Sequence, residues 1–302
     1  MHSPAMGQGM NVSMQDAYNL IWKIGSVLTG AAYREILSTY NTERRPVAQA
    51  LIELDARMAS FYANGPSQES QDYQTFRNTF SWFSSGVSVE YEPSVLVQDG
   101  KKSPSDWVHT ADGIAPATRG RSLAQDVSKI AVGQRMPSQK VVCQAESNVV
   151  HLADMLPSNG CWRVLVFAGD ITSATKFQSV QDLGATLETL ARTYSRPKHV
   201  LHSTIEVLLI HAGRRNDVDL LTLHEVYHPW HETLGWDYWK VFSNDAETLA
   251  PGIGSAYEKY GIDARHGCLV IVRPDQHVAY MGPLEEQAAP QRFFEGVLRP
   301  SR

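Results

Sequence analysis

The sequence predicts a chain of mixed α/β and α+β class: a helical first part followed by a layer in which strands alternate with helices. Three observations predict it. From Asn11 to Leu28 the apolar residues recur at helical spacing. From Val141 onward short apolar runs alternate with helical stretches, the pattern of βαβ units. Between these regions Asp99 to Gly120 is rich in Gly, Pro, Ser and Asp and has no periodicity, which marks a domain boundary and divides the chain into residues 1–110 and 120–302.

In the first helix Ala17, Leu20, Ile21, Ile24, Val27 and Leu28 form the apolar stripe, with Ser13 and Asp16 as a capping pair and Gly30 as the stop. A shorter pattern, Tyr33, Ile36, Leu37 and Tyr40, leads into Glu43-Arg44-Arg45-Pro46. Pro46 is expected to open the next helix, because its missing N–H would have no partner there, and that helix carries Val47, Leu51, Leu54, Met58 and Phe61 inward. Asn64 to Gln74 is polar, contains Gly65 and Pro66, and reads as a surface connection; Val87 to Val97 reads as extended. The second part offers strands at Val141–Cys143, Arg163–Ala168, Thr204–His211, Cys268–Val272 and Val278–Met281. Helices are expected at Val180–Tyr194, Glu247–Tyr260 and Pro290–Leu298. The last three elements run β, β, α, an order that resembles a thioredoxin-like fold.

Composition narrows the partners. The 302 residues are 43% hydrophobic and 20% charged, enough apolar material for a core, and at this length two domains are expected. A net charge of −5 and a pI near 6.1 give no reason to expect nucleic acid or an anionic membrane, so the partner is a small molecule or a protein. Cys143, Cys161 and Cys268 are odd in number and far apart, which signals neither a disulfide framework nor a zinc knuckle and fits a reducing cytosol. Met1 to Met14 lacks a basic segment and an apolar core, so it is no secretory signal. No run approaches the roughly 18 apolar residues of a membrane span, and the expectation is a soluble cytoplasmic protein.

The informative segment is His2-Ser3-Pro4-Ala5-Met6-Gly7-Gln8-Gly9-Met10-Asn11, which runs directly into the first helix. Two glycines around Gln8 allow close backbone approach, and a helix N-terminus aims free N–H groups and the positive dipole end at the same place. Such a loop favours an anion. In a flavoenzyme that anion is the reduced isoalloxazine, whose charge lies near N1 and O2.

The run Ser-Pro-x-x-Gly-Gln-Gly-Met-Asn, continued by Gln15-Asp16-Ala17-Tyr18-Asn19-Leu20-Ile21-Trp22-Lys23, resembles the C-terminal flavin motif of phenol 2-monooxygenases, the FAD-dependent aromatic hydroxylases. The resemblance extends along almost the whole chain. Tyr40 to Pro46 is similar to the family's Tyr-x-x-Glu-Arg-x-Pro. Tyr257 to Asp263 and Val272-Arg273-Pro274-Asp275 are similar to its Tyr-x-x-Tyr-Gly-Ile-Asp and Val-Arg-Pro-Asp, and Gly133-x-Arg135-x-Pro137 is similar to the start of its last domain. The resemblance implies that Gly7, Gln8, Gly9, Met10 and Asn11 line the pyrimidine side of FAD and that Pro4 borders the space between flavin and substrate. It also implies NADPH as reductant, an aromatic small-molecule substrate, and a thioredoxin-like last domain that makes a homodimer. Asp16 and Lys23 are read as cap or solvated-face charges rather than catalytic groups.

The family's Gly-x-Gly-x-x-Gly pyrophosphate turn, its Asp-Gly motif and its Gly-Asp motif are not in this sequence. The first part therefore reads as the helical C-terminal remainder of an FAD-binding monooxygenase domain. Either a separate N-terminal FAD-binding half completes the site, or the chain is a truncated product with little activity. The general base, the particular aromatic substrate and the pathway, catabolic or biosynthetic, are beyond this sequence.

Three other chemistries compete. His224-Glu225-Val226-Tyr227-His228 matches the zinc-hydrolase pattern His-Glu-x-x-His, but Pro229 disfavours helical geometry at His228 and no third ligand stands at the usual spacing, so no metal site is expected. A thiol oxidoreductase would carry Cys-x-x-Cys after the first central strand, where Gly169-Asp170-Ile171-Thr172 stands instead, and Cys161 is read as packing. No Gly-x-Ser-x-Gly elbow occurs. The non-enzymatic alternative is a dimerisation or scaffold module that keeps the loop and helix as remnants.

Overall fold

The computed structural model describes residues 7–64, 71–86, 89–99, 129–195, 202–245 and 254–301. Helix α1 runs from Gly9–Leu28, a 3-10 turn occupies Arg34–Ser38, α2 spans Thr39–Asn64 and α3 spans Gln71–Ser84. Strand β1 Gln98–Asp99 falls within the expected first part, and the second part contributes β2 Lys140–Cys143, β3 Val149–His151, β4 Trp162–Gly169 and β5 Ile205–His211. It continues with β6 Trp230–His231, β7 Gly235–Trp236, β8 Val241–Ser243, β9 Cys268–Val272 and β10 Val278–Gly282. Its helices are α4 Ala174–Tyr194, α5 Ala256–Tyr260 and α6 Ala289–Glu295. The class is mixed α/β, as expected.

One eight-stranded sheet, ordered β1-β10-β9-β4-β5-β8-β2-β3, organises the chain. The β4–α4–β5 unit is parallel, while β9 pairs antiparallel with both β4 and β10. Every residue of β4, β5 and β9 is buried, which is why these strands read as continuous apolar runs rather than alternating ones. Strand period 2 then sorts the side chains. Trp162, Val164 and Val166 face α4 and α6 through Leu183, Leu187, Phe293 and Phe294, while Leu165 and Phe167 face Tyr257 and Tyr260 of α5 on the other side.

Helix α1 departs most from expectation. Its stripe lies outward: Ile21 is 65% and Leu28 81% exposed, with Met10, Met14 and Ile24 beside them. Asn19, Trp22 and Lys23 turn inward instead. The helical period holds, but the inward face joins the apolar Val12 and Trp22 to the buried polar Asn19 and Lys23, so it is held by charge pairing as well as by apolar contact. The capping pair is also corrected. The helix starts at Gly9 with Gln8 as N-cap and no side-chain cap, which puts Ser13 and Asp16 inside it.

Pro46 does not open a helix; it sits inside α2. The helix runs through it because the preceding turn is fixed by Glu43 and Arg44, both buried and paired. The missing N–H then costs one bond, not the element. Val47, Leu51 and Leu54 are buried as expected. Helix α3 overlaps the end of the expected polar connection; Phe76 packs with Leu54, Phe61 and Phe80 there. Strand β8, short and central between β5 and β2, was not expected at all. The interval from 100 to 128, with most of the expected boundary, lies outside the described residues, as do 246–253 at the start of the expected Glu247–Tyr260 helix.

Candidate functional site

The expected site residues gather at the start of α1. Gly7 has φ +65°, a left-handed conformation that favours glycine, and a Cβ there would meet nothing within 4 Å. The Val12 N–H donates to the Gln8 carbonyl at 3.0 Å, which closes the first helical turn. The N–H groups of Gly9, Met10 and Asn11 thus have no carbonyl within the helix, and the Gln8 side chain does not cap them. The Asn11 amide donates to the Gln8 side-chain oxygen at 2.8 Å, fixing the two polar side chains to each other. Met10 is 70% exposed beside them. Pro4 lies outside the described residues.

Beneath this helix lies a buried charge network that sequence reasoning missed. The Lys23 ammonium donates to Glu43 and to Asn19, each at 2.8 Å. Arg273 donates to both Glu43 oxygens at 2.6 and 2.9 Å and to both Asp275 oxygens at 3.0 and 2.7 Å. The Trp22 indole N–H donates to Asp275 at 3.0 Å, and Arg44 donates to the Tyr91 hydroxyl at 3.1 Å and to Asp16 at 2.6 Å. Lys23 and Arg273 balance Glu43 and Asp275, and the equally buried Arg44 is paired with the half-buried Asp16, so every buried charge of the network is matched and hydrogen-bonded, the condition under which buried charge is tolerated.

Electrostatics follow from that geometry. Burial pushes Lys23 down to about 8, against the opposing pull of Glu43. Desolvation works to raise Glu43 and Asp275, but the Arg273 guanidinium between them holds both below their ordinary range. Lys23 is therefore no solvated-face charge, and Asp16 is no cap: the first is fully buried and the second is paired with Arg44. The network joins Asn19-x-x-Trp22-Lys23, Glu43-Arg44 and Arg273-Pro274-Asp275, three segments that carry the motif resemblance and that lie up to 250 residues apart. A signal existed in the sequence: charges of opposite sign set in or beside apolar runs, with Arg273 directly after Cys268–Val272. Nothing in it says which charge meets which.

The zinc pattern does not form a helical ligand pair. His224 caps a 3-10 turn at Glu225–Tyr227, and His228 ends it at φ −148° and ψ 66°, outside the helical region. The His224 Nδ1 accepts from the Val226 N–H, and His228 Nε2 lies 3.0 Å from the Leu223 carbonyl. Among the described residues no group of three or more His, Cys, Asp or Glu is arranged to hold a metal ion. Cys161 is buried, and desolvation raises its thiol above the ordinary value. No helix among the described residues is long and apolar enough to cross a membrane.

Comparison with known proteins bears on these segments directly. Residues 89–302 match the family model described as phenol hydroxylase, C-terminal dimerisation domain, and residues 1–55 match an FAD binding domain. The chain is 34% identical over 299 residues to the phenol 2-monooxygenase fsqG of Aspergillus fumigatus, covering 98% of this chain and 46% of that protein. It is 34% identical over 309 residues to the 3-hydroxybenzoate 4-monooxygenase of Comamonas testosteroni, covering 99% of this chain and 45% of that protein. The chain thus spans about half the length of these curated relatives. Among solved structures, OxyS anhydrotetracycline hydroxylase from Streptomyces rimosus shares the fold at 18% identity, with a TM-score of 0.50 over 97% of this chain and 42% of that one.

Proposed function

This chain belongs to the phenol hydroxylase family defined by that C-terminal dimerisation domain, and on this premise we propose that it is the C-terminal part of an FAD-dependent monooxygenase. The activity is hydroxylation of a phenolic or other aromatic substrate with NADPH and oxygen. The chain's own share of it is one edge of the flavin site. Residues Gly7 to Asn11 meet the pyrimidine side of the ring, Pro4 borders the substrate, and the pyrophosphate and adenosine contacts come from a preceding or separately supplied N-terminal half.

One observation carries this reading: the first turn of α1, whose Gly9, Met10 and Asn11 N–H groups have no carbonyl partner within the helix and no cap from the Gln8 side chain, belongs to a helix locked from below by buried ion pairs. These residues fit one edge of FAD. Such N–H donors and the helix dipole favour negative charge at N1 and O2, and Gln8 and Asn11 offer amides to the polar rim. When bound, FAD supplies the activation of oxygen, which side chains cannot provide. The protein's part is to hold the edge, orient it and keep water out. The outward stripe of α1 fits a helix that another body covers, since an apolar face of this length is normally buried.

Topology also supports a thioredoxin-like reading of the second part, in which β4–α4–β5 is the parallel unit and β9–β10–α6 the closing hairpin and helix. We place a homodimer on this domain. Its three buried free thiols fit a reducing cytosol.

The test is titration of the purified chain with FAD, followed by flavin fluorescence, alone and with the N-terminal half of a relative. Saturable binding is expected only with that half present, accompanied by NADPH oxidation that depends on an added phenol. Stoichiometric FAD on the chain alone would overturn the incomplete-site reading. Absence of binding in both cases would leave the dimerisation module without catalysis.

A further inference from the structure

The described residues expose large apolar side chains in two main places, and the two are not alike. One is the α1 stripe, within the part that matches an FAD binding domain. The other lies wholly within the part that matches the dimerisation domain, where every exposed large apolar residue falls between Leu221 and Trp239. These are Leu221 at 67%, Trp230 at 56%, Leu234 at 84%, Trp236 at 36% and Trp239 at 45% exposure.

They are held in a rigid arrangement. Strands β6 and β7 form a hairpin apart from the main sheet, with Trp230 paired to Trp236. Their rings meet edge to face at 5.3 Å, and Leu234 sits in the turn between the strands. Beside the hairpin is a cleft of about 560 Å³, lined by Leu221, Trp236 and Tyr238 with Glu188, Glu225 and His228. The His228 Nε2 faces the Leu223 carbonyl, so it carries the proton, and the buried Nδ1 is left an acceptor without a partner.

We propose that this tryptophan hairpin and the cleft beside it are the surface on which a second copy of the chain docks, with the hairpin of each protomer seated against the cleft of the other. The inference rests on the homodimer reading above and assigns its surface. Three arguments favour a second copy over other occupants. The patch lies in the domain whose family description is dimerisation. A large aromatic side chain buries roughly 150–250 Å²; at these exposures three tryptophans and two leucines leave several hundred Å² uncovered, a large share of the roughly 800 Å² per partner in a specific interface. Rigid tryptophans are also the residues that dominate such interfaces.

Light scattering on the purified full chain tests this, with Leu221→Glu/Leu234→Glu as the disrupting variant and Ile21→Glu on α1 as the comparison. All three positions are exposed, so the fold should survive, and circular dichroism checks that. The expected result is a dimer for the parent and for Ile21→Glu, and a monomer at micromolar concentration for the double variant, its dissociation constant raised at least about 100-fold. Tryptophan emission should shift to the red as the parent is diluted into monomer. A folded double variant that stays dimeric overturns the assigned surface while the homodimer stands. A dimer lost in Ile21→Glu instead moves the interface to α1 and also overturns it. A parent that is monomeric at all concentrations overturns the homodimer reading itself.

Discussion

At the scale of residues, Glu43 decides most. It accepts from Lys23, Asn19 and both terminal nitrogens' worth of Arg273 contacts, so one carboxylate ties α1 and α2 to the turn after β9. Glu43→Gln keeps the shape and removes the charge, leaving Lys23 and Arg273 buried with one anion between them. Breaking a buried pair in this way costs about 3–5 kcal/mol, and urea unfolding should show a loss of that size. The pH dependence has a definite sign. Glu43 and Asp275 are lowered from ordinary values of 4.5 and 3.8, so the folded state binds fewer protons than the unfolded state in acid. Their stabilisation is full above about pH 4.5 and is lost as pH falls through the lowered values. The acid limb of a stability profile should flatten in Glu43→Gln; an unchanged limb would remove the network from this role.

At the scale of elements, α4 and the loop that bears His224 meet through a missing side chain. A Cβ on Gly184 would lie 2.7 Å from the His224 Cβ, closer than real Cβ atoms approach, and in a tight contact of 3.1 Å with the Tyr227 ring. The Tyr227 hydroxyl donates to the Val180 carbonyl at 3.0 Å on the same helix. Gly184→Val should push the loop off α4, at a cost of about 1–3 kcal/mol for overpacking. A thermal melt checks this, and the Trp236 side of the cleft should report it as changed tryptophan fluorescence. The elements legible in the sequence were the ones with a strong helical period or a continuous apolar run. Strand β9 matches its expected bounds, β4 differs from its own by one residue at each end, and β5 and β10 by one residue at one end. Helix α3 and strand β8 were missed because α3 alternates Phe with polar residues over a short span, and β8 has three residues whose strand character comes from the neighbours it joins.

At the scale of the whole molecule, the helical part and the sheet share one core. Trp22 of α1 packs edge to face on Trp162 of β4 at 5.8 Å, and Ala32 and Ile36 join the cluster formed by α4, α6 and the sheet. The Tyr18 hydroxyl donates to the Pro274 carbonyl at 3.1 Å, adding a polar tie across the same junction. Unfolding should therefore be one cooperative transition, coincident by far-ultraviolet circular dichroism and by tryptophan fluorescence. Two separated transitions would show that α1 and α2 melt independently of the sheet.

The sequence by itself determined the family resemblance, the alternation of strands and helices, and the loop at the start of α1, because each is written in local spacing of glycines and apolar residues. Tertiary structure decided which face of α1 turns inward and what Lys23, Glu43, Arg273 and Asp275 are for. Periodicity reports that a helix has two faces, but a face is buried only by what it meets. Here the meeting partner of α1 is a turn some 250 residues away, whose Arg273 and Asp275 engage the side that carries Trp22 and Lys23 and leave Ile21, Ile24 and Leu28 outside.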